Sequence, residues 1–131
     1  MAKLLVVDDT VETCQMLERL FAKCGHVTRC LYGGSGVVAL LRSTPFDLVL
    51  LDVMMPDVDG FEVLGSIRAD ANVGHTPVAM YSAISDPAAQ ERAIAMGANE
   101  WIVKGTPFPL LRQRLDCFLR KIPGIGKGNP Q

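Results

Sequence analysis

Residues 47–60 read Asp47-Leu48-Val49-Leu50-Leu51-Asp52-Val53-Met54-Met55-Pro56-Asp57-Val58-Asp59-Gly60. Four uninterrupted apolar residues, Leu48 to Leu51, end in a carboxylate at Asp52. A short apolar run bounded by turn residues suits a strand buried on both faces, as in a parallel sheet. Open α/β sheets bind their ligands just beyond the carboxyl ends of the strands. Asp52 stands at such an end. The residues that follow supply a loop, with Asp59 as a candidate helix N-cap.

Upstream, Lys3-Leu4-Leu5-Val6-Val7 is a second short apolar strand, and it too ends in acid, at Asp8-Asp9. Residues 11–24 have helical spacing, with Leu17, Leu20, Phe21 and Cys24 on one stripe, and Gly25 sits where a C-cap glycine belongs. Residues 26–31 alternate polar and apolar and read as a strand near an edge. The glycine-rich turn Tyr32-Gly33-Gly34-Ser35-Gly36 leads into a helix over 37–42. No Lys-Ser/Thr follows it, so a nucleotide-binding loop of the P-loop kind is excluded and a plain strand-to-helix turn is expected.

Downstream, residues 61–69 form a helix burying Phe61, Leu64 and Ile67, and 77–81 a strand ending at Ser82. Asp86-Pro87 is an N-cap and N1 pair for a helix closing at Gly97. Residues 101–103 form a last strand ending at Lys104. An amphipathic helix over 110–122 follows, with Leu111, Leu115, Phe118 and Leu119 inward. Strand and helix alternate five times, which gives a doubly wound parallel sheet with right-handed crossovers. The expected organisation is one domain over 1–122 and a disordered tail over 123–131, where three glycines and two prolines fall in nine residues. With no further foldable segment, no output domain is expected in this chain.

Composition narrows the function classes. A formal net charge of −1, without a basic cluster, argues against nucleic acid as a direct partner. Hydrophobic content is 49% and mean hydropathy +0.24, which burial of a sheet on both faces explains. No apolar run approaches the ~20 residues of a membrane span, and the N-terminus is no signal peptide, so a cytoplasmic protein without membrane contact is expected. Cys14, Cys24, Cys30 and Cys117 lack metal or redox spacing and read as reduced thiols. His26 and His75 flank no nucleophile.

Polar groups thus recur at one sheet edge: Asp8, Asp9, Asp52, Ser82 and Lys104. Three converging carboxylates repel unless a cation lies among them, and oxygen ligands select a hard one such as Mg²⁺, for which Mn²⁺ could substitute. The plainer reading is N-caps and solvated strand ends. A phosphoryl group is the natural partner of such a set, because its transfer needs positioning and charge neutralisation more than covalent help. Lys104 and Ser82 would meet its oxygens, and one carboxylate, Asp52 being the most central, would be the nucleophile forming an acyl phosphate.

On these residues the chain resembles the receiver domain of two-component response regulators, from Lys3 to about Ile122. The features that carry the likeness are Asp8-Asp9 after the first strand, the motif L-L-D-V-M-M-P-D-V-D-G around Asp52, Ser82-Ala83 after the fourth, and Lys104 three residues beyond an aromatic. The resemblance implies a (βα)5 flavodoxin-like fold with strand order 2-1-3-4-5. It implies that Asp52 accepts a phosphoryl group from a histidine kinase or histidine phosphotransfer protein. Mg²⁺ would be held by Asp9, Asp52 and the Met54 backbone carbonyl, with Asp8 acting through water. Ser82 would be the switch hydroxyl and Trp101 the switch aromatic. Output would pass to a protein target through the fourth helix, fifth strand and fifth helix, with an active-state homodimer as one arrangement. No separate turnover substrate is expected.

Several positions depart from the family pattern. Gly105 replaces the usual proline after the lysine, which leaves a cis or a trans peptide open. Trp101 is bulkier than the usual Tyr or Phe. Met54 and Ile84, two residues beyond Asp52 and Ser82, are apolar, cannot orient a hydrolytic water, and imply slow self-dephosphorylation. Val37 and Val38 stand where charged residues are common; an exposed one would hint at a contact surface, although scattered exposed apolar residues usually mean nothing. Two other function classes compete. An aspartyl-phosphate phosphatase would want a carboxylate at position 54, and a phosphorylation-independent binding module would not need the intact acid, hydroxyl and lysine set.

Overall fold

Leu48–Leu51 is buried at all four positions and forms the middle strand of a five-stranded sheet in the computed structural model. The structure describes residues 1–119. The expected tail at 123–131 and the helix end at 122 lie outside the described residues, as does the Phe118 side chain. In chain order the elements are β1 Lys3–Val7, α1 Val11–Lys23, β2 Val27–Leu31, α2 Val37–Ser43, β3 Leu48–Leu51, α3 Gly60–Ala69, β4 Val78–Ser82, α4 Pro87–Ala95, β5 Glu100–Val103 and α5 Phe108–Leu119. All neighbouring strands pair in parallel, in the order β2-β1-β3-β4-β5. This is the flavodoxin-like α/β fold.

Strand periodicity divides the core in two. Leu5, Val7, Val49, Leu51 and Met80 point to one face, where residues of α2, α3 and α4 cover them. Leu4, Val6, Leu48, Leu50 and Ala79 point to the other, under Cys14, Leu17 and Phe21 of α1 and Leu111, Leu115 and Leu119 of α5. The apolar stripe of α1 therefore begins a turn earlier than Leu17. Cys14, Leu17 and Phe21 are its buried line, and Leu20 and Cys24 are only half-buried.

Local chemistry sets the element ends. Asp59 caps α3 in a reciprocal capping box with Glu62, and Asp86 accepts from the Ala88 N–H ahead of Pro87. The α5 helix starts at Phe108, two residues before the hydrophobic stripe suggests. The Pro107 carbonyl accepts from Leu110 and Leu111, and Pro109, having no N–H, fits a first turn. The hint of an exposed valine on α2 is corrected. Val37 is fully buried and Val38 packs against the core, because α2 lies against α3.

Among the described residues, no helix is long and apolar enough to cross a membrane.

Candidate functional site

The chain winds outward from β1 to β2, then returns to the other side of β1 at β3, so a topological switch point falls between β1 and β3. Val7 and Leu51 are paired at that point, and the ladder runs one residue further, the Asp52 N–H donating to the Val7 carbonyl at 2.9 Å. Asp8 and Asp52 thereby project side by side. At the neighbouring pair, Ser82 lies opposite Val103, and the Lys104 N–H donates to the Ser82 carbonyl at 2.8 Å. Sheet register alone brings Asp8, Asp52, Ser82 and Lys104 to one edge.

Oxygens of Asp8, Asp9 and Asp52 lie within 4.8 Å of one another. Asp8 and Asp52 are 1% and 5% exposed, while Asp9 faces solvent. The Lys104 ammonium bridges the two buried carboxylates, 2.7 Å from Asp8 Oδ2 and 3.0 Å from Asp52 Oδ2. Main-chain donors fix the remaining oxygens: Thr10 N–H to Asp8 Oδ1 at 2.9 Å and Val53 N–H to Asp52 Oδ1 at 2.8 Å.

Burial pushes the Asp52 carboxyl above its ordinary value, against the pull of Lys104. Burial acts to lower the Lys104 ammonium, but its contacts and charge interactions with Asp8 and Asp52 prevail and hold it raised. Three carboxylates face one ammonium. Asp8 Oδ2, though close to that ammonium, is buried and among the described residues receives no aligned hydrogen bond. An all-oxygen donor set with surplus negative charge and an under-satisfied buried oxygen fits a hard divalent cation.

The loop after Asp52 passes close under the start of α3. A Cβ on Gly60 would collide with the Asp52 carbonyl oxygen, so only glycine allows this approach. Met54 is 66% exposed and lines a cleft of about 600 Å³ with Asp9, Met55, Phe61 and Arg92. Ser82 is buried and its Oγ accepts from the Ile84 N–H at 3.2 Å. Trp101 is buried, tilted against Phe61 with ring centroids 6.5 Å apart. The Lys104–Gly105 peptide is trans, and Gly105 turns the chain at φ +95°.

Three residues escaped the sequence reading. Asp57 accepts from the N–H groups of Gly34 and Ser35 at 3.1 and 2.9 Å. The glycine-rich turn does hold an anion, but it is a carboxylate of the same chain. Arg92 lays its guanidinium 4.0 Å from the Phe61 ring centroid. Arg114 donates to the Trp101 carbonyl at 2.9 Å and pairs with Glu100. The first had a signal, an acid in a loop near a turn rich in free N–H groups. The other two depend on rotamers and helix placement that no spacing encodes.

The family model described as "Response regulator receiver domain" matches residues 4–116. The transcriptional regulatory protein ZraR of Salmonella typhimurium is 34% identical over 116 residues, 88% of this chain and 26% of that protein. Among solved structures, the chemotaxis protein CheY4 of Vibrio cholerae superposes with a TM-score of 0.83 at 29% identity, covering 89% of this chain and 98% of that one. The BeF3-activated N-terminal receiver domain of Klebsiella pneumoniae RstA gives 0.84 at 25% identity, over 90% and 98%. The chain spans about a quarter to a half of the length of the curated relatives it matches.

Proposed function

The chain belongs to the response regulator receiver domain family, and from that premise we propose that it is a phosphorylation-dependent switch in which Asp52 takes a phosphoryl group from a phosphohistidine donor. Receiver domains are generally phosphoacceptor switches rather than turnover enzymes, and a cognate histidine kinase is the implied donor. The observation that carries the reading is the Lys104 bridge between two buried carboxylates at the switch point of the sheet.

In the proposed step an Asp52 carboxylate oxygen attacks phosphorus, and the phosphorus–nitrogen bond to the donor imidazole breaks. The imidazole nitrogen keeps the bonding pair. Lys104, already against Asp52, stabilises charge on the phosphoryl oxygens, and the Ser82 hydroxyl donates to one of them. Mg²⁺, with Mn²⁺ as a substitute, would be held by Asp9, Asp52 and the Met54 carbonyl, with Asp8 through water, and would neutralise phosphoryl charge.

When Ser82 turns toward the phosphoryl group, the Ile84 N–H loses its acceptor, and Trp101 follows through its own bond to Ile84. Readout is through α4, β5 and α5, where Ile94 is exposed beside Trp101, Glu91 and Arg114 in a groove of about 550 Å³. A protein target, or a second copy of the chain, is the partner of that face. Met54 and Ile84 offer no side-chain group to align water, so the acyl phosphate persists well beyond seconds.

Beryllium fluoride with Mg²⁺, followed by ¹⁹F NMR, tests the site. A bound resonance is expected in the parent chain and not in Asp52→Asn. Its absence in the parent would reject the reading.

A further inference from the structure

The loop from Asp52 to the start of α3 carries the carbonyl assigned above to the metal, yet its middle has little support of its own. Its far end is fixed by the Gly60 N–H, which donates to the Val53 carbonyl at 2.8 Å, and by the Asp59–Glu62 capping box. Among the described residues, nothing hydrogen-bonds to the backbone of Met54 or Met55. Apart from the packing of Met55 and Val58 against the core, the polar hold on this middle segment comes from Asp57, three residues after Met54. Its two carboxylate oxygens are each taken by a backbone N–H of the β2–α2 turn, Gly34 to Oδ1 and Ser35 to Oδ2.

The turn is shaped for this contact. A Cβ on Gly33 would stand 2.8 Å from Asp57 Oδ2, and one on Gly34 would stand 2.6 Å from Val63 and 3.0 Å from the Val58 carbonyl. Two side chains are absent where the two loops meet. The carboxyl of Asp57, although exposed, is held well below the usual carboxylate range by the N–H groups of Ser35 and Gly34, so the contact favours the ionised form.

We infer that Asp57 is a positioning residue for the metal site: it ties the Met54 segment to the β2–α2 turn and thereby holds the Met54 carbonyl for the cation. The inference rests on the acid-pocket reading given above. Asp57 touches neither the cation nor the phosphoryl group, so its loss weakens metal binding and leaves the chemical step intact once metal saturates. Residues that orient metal ligands from behind typically change affinity by about 10–100-fold. For a tether to one ligand among several, the low end, roughly tenfold, is expected.

The test uses Mn²⁺ binding by electron paramagnetic resonance, and phosphorylation by acetyl phosphate across a Mg²⁺ series, on the parent, Asp57→Ala and Asp57→Asn. Asp57→Ala should bind Mn²⁺ roughly tenfold more weakly, yet reach a phosphorylation rate within about twofold of the parent at saturating Mg²⁺. Asp57→Asn keeps one acceptor oxygen for the turn and should fall between them. Parent-like affinity in Asp57→Ala would overturn the tether alone. So would an Asn variant as weak as the Ala variant, since charge near the metal would then be the cause. No Mn²⁺ binding by the parent chain would overturn the acid-pocket reading and the tether with it.

Discussion

The indole N–H of Trp101 donates to the main-chain carbonyl of Ile84 at 3.1 Å. Ile84 is also the residue whose N–H occupies the Ser82 hydroxyl. One residue of the β4–α4 loop therefore connects the hydroxyl at the acid pocket to the only tryptophan in the chain.

A reporter follows from this linkage. Trp101 emission should change when Mg²⁺ and beryllium fluoride bind, and in Ser82→Ala most of the change should vanish while ¹⁹F NMR still detects bound fluoride. Unaltered emission in the parent, with binding confirmed, would exclude Trp101 from the switch. Trp101→Phe keeps the ring against Phe61 but loses the bond to Ile84, and should cost about 1 kcal/mol in urea unfolding.

Lys104 pairs with two carboxylates that have almost no access to solvent. Lys104→Met leaves them facing each other, and removing one partner of a buried ionic group is expensive. Because the Lys104 side chain is 22% exposed, a loss of about 2–3 kcal/mol at neutral pH is expected, below the full buried-pair cost. Millimolar Mg²⁺ should restore part of it by binding the folded state. Equal unfolding midpoints for variant and parent, without Mg²⁺, would contradict this role.

Asp52 gives a pH signature. Its folded-state pKa lies above the ordinary 3.8, chiefly through burial, so the native state holds this proton more tightly than the unfolded chain does. Ionising Asp52 therefore costs stability. The cost is absent below the ordinary value and complete once the pH has passed the raised one. Asp52→Asn removes it, so the variant should gain on the parent as the pH rises from acid to neutral. Paired urea titrations check the sign, and a variant that instead loses ground with rising pH would refute it.

Thr28 pairs with Leu4, on the sheet face that α1 and α5 cover, and among the described residues its buried hydroxyl has no hydrogen-bond partner. Valine has nearly the same shape without the oxygen. Thr28→Val should therefore stabilise the chain by about 1 kcal/mol, seen as a higher melting temperature. A lower one would mean that the hydroxyl is satisfied in solution.

The architecture was legible because two-sided burial leaves a simple mark. Leu4 to Val7 and Leu48 to Leu51 are continuous apolar runs ending in acid, and polar strand ends mark one edge of a parallel sheet. The acid pair, the hydroxyl and the lysine were legible for the same reason, since register fixes their proximity. What escaped depends on contacts between segments distant in sequence. Whether Val38 is exposed is set by how α2 lies on α3. The Asp57 partners depend on two loops meeting, and the Arg92 contact on one rotamer. The inward line of α1 shifted because Cys14, Leu17 and Phe21 fit helical spacing as well as Leu17, Leu20, Phe21 and Cys24 do, and how the helix rolls on the sheet decides between them.

The central claim is that Asp52 carries the phosphoryl group. Intact-mass spectrometry after incubation with acetyl phosphate and Mg²⁺ should show one added phosphoryl group in the parent chain, still present after many minutes, and none in Asp52→Asn. An unmodified parent, or an equally modified Asp52→Asn, would contradict it.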